Sequence, residues 1–117
     1  MVMNTKVEQI AQKKVVITVS GSMTLGSPLK VLDAKLQNLI SNGVNTIVFD
    51  LTEVDYIDSA GLGLLMLAHG LLEKEDTMLR LCGAQARVRA LLKMTKTDSL
   101  LDVDESREES LEAIRER

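Results

Sequence analysis

The segment that most constrains the fold of this chain is the run TIVFDL at positions 46–51. Ile47, Val48, Phe49 and Leu51 are large and apolar, and such a run is typical of a strand buried on both faces of a parallel sheet. A strand of that type needs helices on both sides, and apolar residues recur at helical spacing before and after it. Strands and helices alternate from residue 15 onward, which predicts a mostly parallel sheet covered by helices.

The N-terminal part predicts an antiparallel hairpin. Val15, Ile17 and Val19 share one face of a half-buried strand. Residues 6–11 form a weaker candidate strand, and residues 12–14 supply a polar turn between the two.

The helices and later strands follow from periodicity and from turn residues. Ser27-Pro28 is typical of an N-cap followed by proline in the first turn, and Asn42-Gly43 is typical of a helix end. The elements predicted after 46–51 are a loop over 52–58, a helix over about 59–74, a strand over 78–82, a helix after Gly83 that carries Val88, Leu91 and Leu92, a strand over 100–103 and a terminal helix that begins with the capping-box pattern of residues 106–109.

Composition excludes several classes of partner. Aromatic residues make up 2% of the chain, the net charge is -3 and the pI is about 5.1, so a nucleic acid is not expected as a direct partner. No apolar run is long enough to span a bilayer, and the N-terminus lacks the apolar region of a signal peptide. With a single cysteine, Cys82, the chain is predicted to act in the reducing cytoplasm without membrane insertion.

Enzymatic chemistry is not expected either. His69 is the only histidine, and it follows Ser59 by ten residues, or roughly 15 Å along a continuous helix. A serine–histidine catalytic pair is therefore excluded if the helix is continuous, and His69 is interpreted as a partly exposed helix residue. Cys82, within an apolar strand, is interpreted as an inert core residue.

Neither a metal site nor a phosphate-binding loop is predicted. Four acidic residues surround the end of the buried strand, but their spacing matches no calcium loop. They are Asp50, Glu53, Asp55 and Asp58. Gly61 and Gly63 lack the third glycine of a dinucleotide fingerprint, since position 66 is Met66, and we attribute both glycines to close packing of a helix on the sheet.

Ser59 has the most informative position. It begins a helix at the carboxyl edge of an open sheet, where ligands and partners bind. One interpretation is purely structural, with Ser59 or Asp58 acting as the helix N-cap. Another is regulatory, since the helix is apolar nearly all round and residues such as Leu62 and Met66 would form a docking surface. A phosphate on Ser59 would place bulk and negative charge in that surface.

Residues 51–63, LTEVDYIDSAGLG, resemble the signature of the STAS domain of bacterial anti-sigma factor antagonists. The order of elements along nearly the whole chain is also similar. The resemblance implies one α/β domain over residues 1–117. It would have a mostly parallel mixed sheet of about five strands, an N-terminal antiparallel hairpin and about four helices.

The resemblance also implies a partner-switching mechanism. An unphosphorylated antagonist would bind an anti-sigma factor that is also a serine kinase, the kinase would phosphorylate Ser59 with ATP, and a serine phosphatase would reset the cycle. The antagonist itself would be no enzyme and would carry no cofactor, catalytic residue or metal ligand. The residues predicted to contact the partner are Thr24, Asp58, Ser59, Gly61, Leu62 and Met66.

One segment departs from the family pattern, in which glycine, an acidic residue, an aliphatic residue and aspartate follow the second strand. This chain has Gly21-Ser22-Met23-Thr24 there. The resemblance implies that the replaced aspartate lies near the phosphorylated serine and takes part in phosphorylation and partner contact; Thr24 keeps a hydrogen-bonding oxygen without the charge.

Two alternative functions remain. The first is a non-switching STAS subunit of a lipid-transport ATPase or a signalling complex. The second is a domain that binds a nucleotide or another small anion at the amino end of the Ser59 helix.

Overall fold

The computed structural model describes residues 2–115, so residue 1 and residues 116–117 of the predicted domain lie outside it. Its elements are β1 (Asn4–Ala11), β2 (Lys14–Met23), α1 (Ser27–Ser41), β3 (Thr46–Ile57), α2 (Ser59–Leu71), β4 (Met78–Cys82), α3 (Ala86–Met94), a 3₁₀ turn (Thr97–Ser99), β5 (Val103–Asp104) and α4 (Arg107–Arg115). Within residues 2–115, no helix has both the length and the apolar character needed to cross a bilayer.

The strands form one five-stranded sheet in the order β1-β2-β3-β4-β5. β1 pairs with β2 antiparallel, and the pairs β2–β3, β3–β4 and β4–β5 are all parallel. β3 is the middle strand, and its residues 46–51 are all buried. The predicted mixed sheet, its N-terminal hairpin and its buried central strand are therefore confirmed.

The two faces of the sheet carry separate apolar clusters. On one face, Leu32 of α1, Leu65 of α2 and Leu92 of α3 share a large core with Phe49 and the other inward residues of β2 to β4. On the opposite face, Ile114 of α4 packs with a small group made of Val16, Val48 and Cys82. Three helices thus cover one face, and α4 alone covers part of the other.

Arg107, the first residue of α4, ties this helix to three strands. Its Nε donates to Asp50 Oδ2 at 2.9 Å, its Nη2 donates to Thr18 Oγ1 at 2.7 Å, and its Nη1 lies 3.5 Å from Glu8 Oε1. Burial raises the pKa of Asp50, but the hydrogen bonds from Thr52 and Arg107 outweigh it, so this pKa lies below its ordinary value. Asp50 is therefore a charged anchor for α4.

The predicted loop over 52–58 was wrong, because β3 continues through Ile57. Ser20 of β2 pairs with Glu53, and Met23 pairs with Ile57, so backbone hydrogen bonding extends the strand through a segment of mixed polar and apolar residues. β4 ends at Cys82, opposite Asp50, so no pairing with β4 extends beyond that point. A segment paired with β4 would be buried on that side, whereas this one retains exposed polar residues.

Other element bounds also differ from the prediction: β1 begins at Asn4 and β2 spans Lys14–Met23, so both strands are longer than predicted. Gly26, not Ser27, is the N-cap of α1, and no side chain caps that helix. α2 ends at Leu71 rather than near residue 74, because the Thr77 hydroxyl bonds to the carbonyls of Leu72 and Lys74 and closes a turn there. The last strand begins at Val103 rather than residue 100, because the 3₁₀ turn precedes it and Leu101 is buried in the core.

Cys82 provides a test of this packing. The thiol is fully buried, and burial followed by the nearby Asp50 charge raises its pKa to about 11. Because alkylation requires an exposed thiolate, we expect iodoacetamide to leave the native protein unmodified at neutral pH and to add one group in guanidinium chloride, measured by intact mass. Fast alkylation of the native protein would show that α4 does not cover Cys82.

Candidate functional site

The site lies where the carboxyl ends of β2 and β3 meet at one edge of the sheet. β2 leads through residues 24–26 into α1, and β3 leads through Asp58 into α2. Ser59 is the first residue of α2 and is exposed. Among residues 2–115 its hydroxyl has no hydrogen-bond partner, so it is presented to the outside rather than used by the fold.

Asp58 is the N-cap of α2, which decides between the two capping interpretations. Its Oδ1 accepts a hydrogen bond from the Gly61 amide at 2.9 Å, and its Oδ2 accepts one from the Leu25 amide at 3.0 Å. One carboxylate therefore joins the first turn of α2 to the loop between β2 and α1. The hydrogen bonds from the amides of Leu25 and then Gly61 hold the pKa of Asp58 below its ordinary value.

The first turn of α2 is pressed against the end of β2 at Gly61. A Cβ at this position would lie 2.2 Å from the carbonyl oxygen of Met23, a backbone atom that cannot move aside without shifting β2. The predicted close packing of this glycine is confirmed, and Gly61 is buried. Its role in the site is to bring Ser59 close to the end of β2.

Gly63 behaves differently, and the packing explanation for it was wrong. A Cβ there would have no heavy atom within 4 Å, and the residue is exposed. A glycine inside a helix costs about 1 kcal/mol relative to alanine. At position 63 no closer packing offsets this cost.

Thr24 lies close to Asp58, the residue that precedes Ser59. The residues on both sides of Thr24 bond to Asp58, since the Asp58 amide donates to the Met23 carbonyl at 3.2 Å and the Leu25 amide donates to the Asp58 carboxylate. Thr24 itself is half-buried. Thr24, Asp58, Ser59 and Gly61 therefore form one cluster at this edge of the sheet.

A second carboxylate near this cluster is Asp55, which was considered from the sequence only as one of four acidic residues without calcium-loop spacing. The Ser22 hydroxyl donates to Asp55 Oδ1 at 2.9 Å, across from β2 to β3. Both residues belong to segments whose side chains remain partly exposed. The pairing of Ser22 with a strand residue could not be predicted while residues 52–58 were interpreted as a loop.

The apolar surface of the site extends beyond Leu62 and Met66, the two residues singled out from the sequence. Leu62 and Met66 are half-buried and pack against the core. The more exposed residues near the cluster are Leu25, at 75% exposure, Tyr56 at 46% and Leu67 at 36%. The available signal was a leucine and a tyrosine within otherwise polar connecting sequence.

A groove of about 250 Å³ runs between the start of α1 and α2. It is lined by Leu25, Gly26, Leu29, Lys30, Asp33, Ala60, Gly63, Leu64 and Leu67. Most of its lining is aliphatic, and one lysine and one aspartate are the charged residues. The groove borders the turn that carries Ser59.

Neither His69 nor any metal-binding group of the described residues lies at Ser59. α2 is continuous from Ser59 to Leu71, so His69 lies at its far end, half-buried, with Nε2 3.7 Å from Glu73 Oε2. Within residues 2–115 no group of three histidine, cysteine, aspartate or glutamate side chains is arranged to hold a metal ion. The structure therefore places an apolar groove beside an exposed hydroxyl that has no hydrogen-bond partner among residues 2–115.

The Asp58 bridge generates a pH-dependent prediction. A carboxylate with a lowered folded-state pKa stabilises the fold above its ordinary value of 3.8, and this contribution is lost as the pH falls through the lowered pKa. Replacing Asp58 by alanine should cost about 0.5–2 kcal/mol at pH 7, the usual range for an N-cap.

Guanidinium unfolding of wild type and Asp58→Ala at several values between pH 7 and pH 2.5 would measure this difference. We expect the gap between the two proteins to shrink toward the acid end. Asp98→Ala, which removes an exposed carboxylate of the 3₁₀ turn, serves as the control. A gap that is absent at pH 7, or that stays constant with pH, would contradict the bridge.

The chain is similar in sequence or in fold to several anti-sigma factor antagonists. BtrV of Bordetella bronchiseptica, whose name assigns it as an anti-sigma factor antagonist, is 32% identical over 84 residues, which cover 72% of each chain. The anti-sigma factor antagonist SpoIIAA in its unphosphorylated form superimposes with a TM-score of 0.85 over 97% of this chain and 98% of its own, at 22% identity. The Bacillus cell fate determinant SpoIIAA in its phosphorylated form gives a TM-score of 0.77 over 95% and 99%, at 20% identity.

The model of the STAS domain matches residues 3–110, from the start of the hairpin into α4. This match includes every strand of the sheet and the whole of the Ser59 cluster. The chain belongs to the STAS domain family.

Proposed function

We propose that this chain is an anti-sigma factor antagonist that binds a serine-kinase anti-sigma factor through the surface around Ser59, and that phosphorylation of Ser59 ends the binding. The observation that carries the proposal is an exposed serine hydroxyl, free of any partner within residues 2–115, beside an apolar groove at the first turn of α2. A kinase can reach such a hydroxyl, and an apolar surface can bury it. BtrV and SpoIIAA, which are named as anti-sigma factor antagonists, support the choice of partner.

The electrostatics of the site support a switch. A phosphoserine would add roughly -1.5 to -2 charge at neutral pH. The Gly61 amide in the first turn of α2 already donates to Asp58, so the new charge would lie next to an ionised carboxylate. A partner that covers the Leu25 and Leu67 surface would have to desolvate both anions. The existence of a phosphorylated form of SpoIIAA, which has the same fold, supports phosphorylation as the switch.

In the same proposal, Thr24 contacts the partner through a hydroxyl where the family pattern has a carboxylate. It lies next to Asp58 and carries a hydroxyl, so it can donate to or accept from a partner group beside Ser59. Asp55, which Ser22 orients, supplies a carboxylate on the adjacent strand. A serine phosphatase would restore the free hydroxyl and complete the cycle.

The experiment uses purified serine-kinase anti-sigma factors of the organism that encodes the chain, tested one at a time with Mg²⁺ and ATP. We expect one of them to bind wild type and to add one phosphate, which intact mass and fragmentation would place at Ser59. Ser59→Ala should bind and resist modification, whereas Ser59→Asp should bind at least tenfold more weakly, or about 1.4 kcal/mol. Calorimetry measures both affinities.

Ser41→Asp is the matched control, since Ser41 is exposed at the opposite end of α1. It should bind like wild type and remain open to phosphorylation at Ser59. Stable binding of an unmodified Ser59 in the presence of ATP would contradict the switch and would leave a constitutive binding role. A failure of every anti-sigma factor kinase to bind wild type would overturn the proposed function.

A further inference from the structure

We infer that Gly63 is a specificity-determining residue, whose missing side chain opens the α1–α2 groove to one large apolar side chain of the anti-sigma factor. This inference rests on the proposed function, because it names the part of the partner that the surface around Ser59 receives. Its basis is that the packing of the fold does not require a glycine at this position.

Packing of the fold requires the glycine at position 61 but not the glycine at position 63. Gly61 meets a backbone oxygen at 2.2 Å, so the packing of α2 on β2 requires it. Gly63, two residues later, has open space where its Cβ would be, and its backbone is not in the left-handed region. Alanine would therefore fit at position 63 and would favour the helix. A requirement other than packing must account for the glycine.

The location of Gly63 indicates what that requirement is. Ala60, Gly63, Leu64 and Leu67 recur at positions i, i+3, i+4 and i+7, so they form one stripe along α2. Gly26, Leu29, Lys30 and Asp33 have the same spacing on and just before α1. The groove lies between these two stripes. Because Gly63 has no side chain, α2 fills the least space in the groove at this position.

The lining selects a protein side chain as the occupant. The floor is aliphatic, with Leu29 and Leu64 buried and Leu25 and Leu67 exposed at its margins. Lys30 and Asp33 give the rim both signs of charge, which suits a polar protein surface around an inserted leucine, methionine or phenylalanine better than an anionic membrane. A volume of about 250 Å³ has room for one such side chain.

The distance to Ser59 places the groove in the same interface as the proposed switch. Gly63 follows Ser59 by four residues, which is one turn of helix and about 6 Å along the axis. A side chain inserted at Gly63 would bring the partner's surface over Ser59. Phosphate at Ser59 and bulk at Gly63 should therefore block the same partner by different means.

Gly70 provides a matched control within α2. It is also exposed, also has no heavy atom within 4 Å of its Cβ position and lies about 10 Å further along the axis, outside the groove lining. The variants are Gly63→Ala, Gly63→Leu, Gly70→Ala and Gly70→Leu, with Ser59→Asp alongside. The probe is the purified anti-sigma factor kinase that binds wild type, without ATP.

We expect both alanine variants to melt at or above the temperature of wild type, because alanine favours the helix. Binding should separate the two positions: at least a fivefold loss for Gly63→Ala, at least a fiftyfold loss for Gly63→Leu, and less than a twofold change for either Gly70 variant. Calorimetry of folded protein, checked by circular dichroism, gives these affinities.

Three results would overturn the inference. Wild-type affinity of Gly63→Leu would show that the groove is empty in the complex, while a loss in Ser59→Asp in the same series would keep the proposed function intact. An equal loss of affinity in the Gly70 variants would show that the groove does not account for the effect of the Gly63 variants. Sedimentation without partner that shows a dimer of wild type, abolished in Gly63→Leu, would make a second copy the occupant.

Discussion

The contact between the first turn of α2 and the end of β2 determines where every part of the site lies. The backbone of Gly61 rests against the Met23 carbonyl, and the carboxylate of Asp58 joins the amides of Leu25 and Gly61. The connection from β2 to α1 and the connection from β3 to α2 therefore meet within a few residues. Ser59 lies at that junction but takes no part in it, so its hydroxyl can change chemically without breaking the contact that positions it.

The asymmetry of β3 explains why this junction is exposed. Up to Asp50 the strand pairs on both sides and is buried on both faces, whereas beyond that residue only its pairing with β2 continues. The same strand thus supplies the core and then carries the chain out to an open edge. On the opposite face of the sheet, Arg107 fixes α4 over the small cluster of Val16, Val48 and Cys82, and none of these residues lines the groove between α1 and α2.

The alternating apolar pattern was enough to predict the order of strands and helices, because strand and helix periodicity reflect which faces are buried. It failed where pairing is one-sided: residues 52–57 mix polar residues with the buried Val54 and Ile57, and they still form a strand because β2 supplies the backbone hydrogen bonds. Gly61 and Gly63 look equivalent in sequence, and only the position of Met23 distinguishes them. Leu25 was missed because a single leucine in a loop has no periodicity.

The Asp58 bridge also determines what a phosphate on Ser59 would have to do. A helix N-terminus normally attracts an anion, and an unoccupied one would help to stabilise phosphoserine. In this chain Asp58 already holds the Gly61 amide, and its lowered pKa keeps it charged at neutral pH. A phosphate would therefore raise the local charge to roughly -2.5 to -3 beside Leu25 and Leu67, at the margin of an apolar groove. On the proposed function, the free antagonist tolerates this charge in water while the complex does not, so release needs no change of fold.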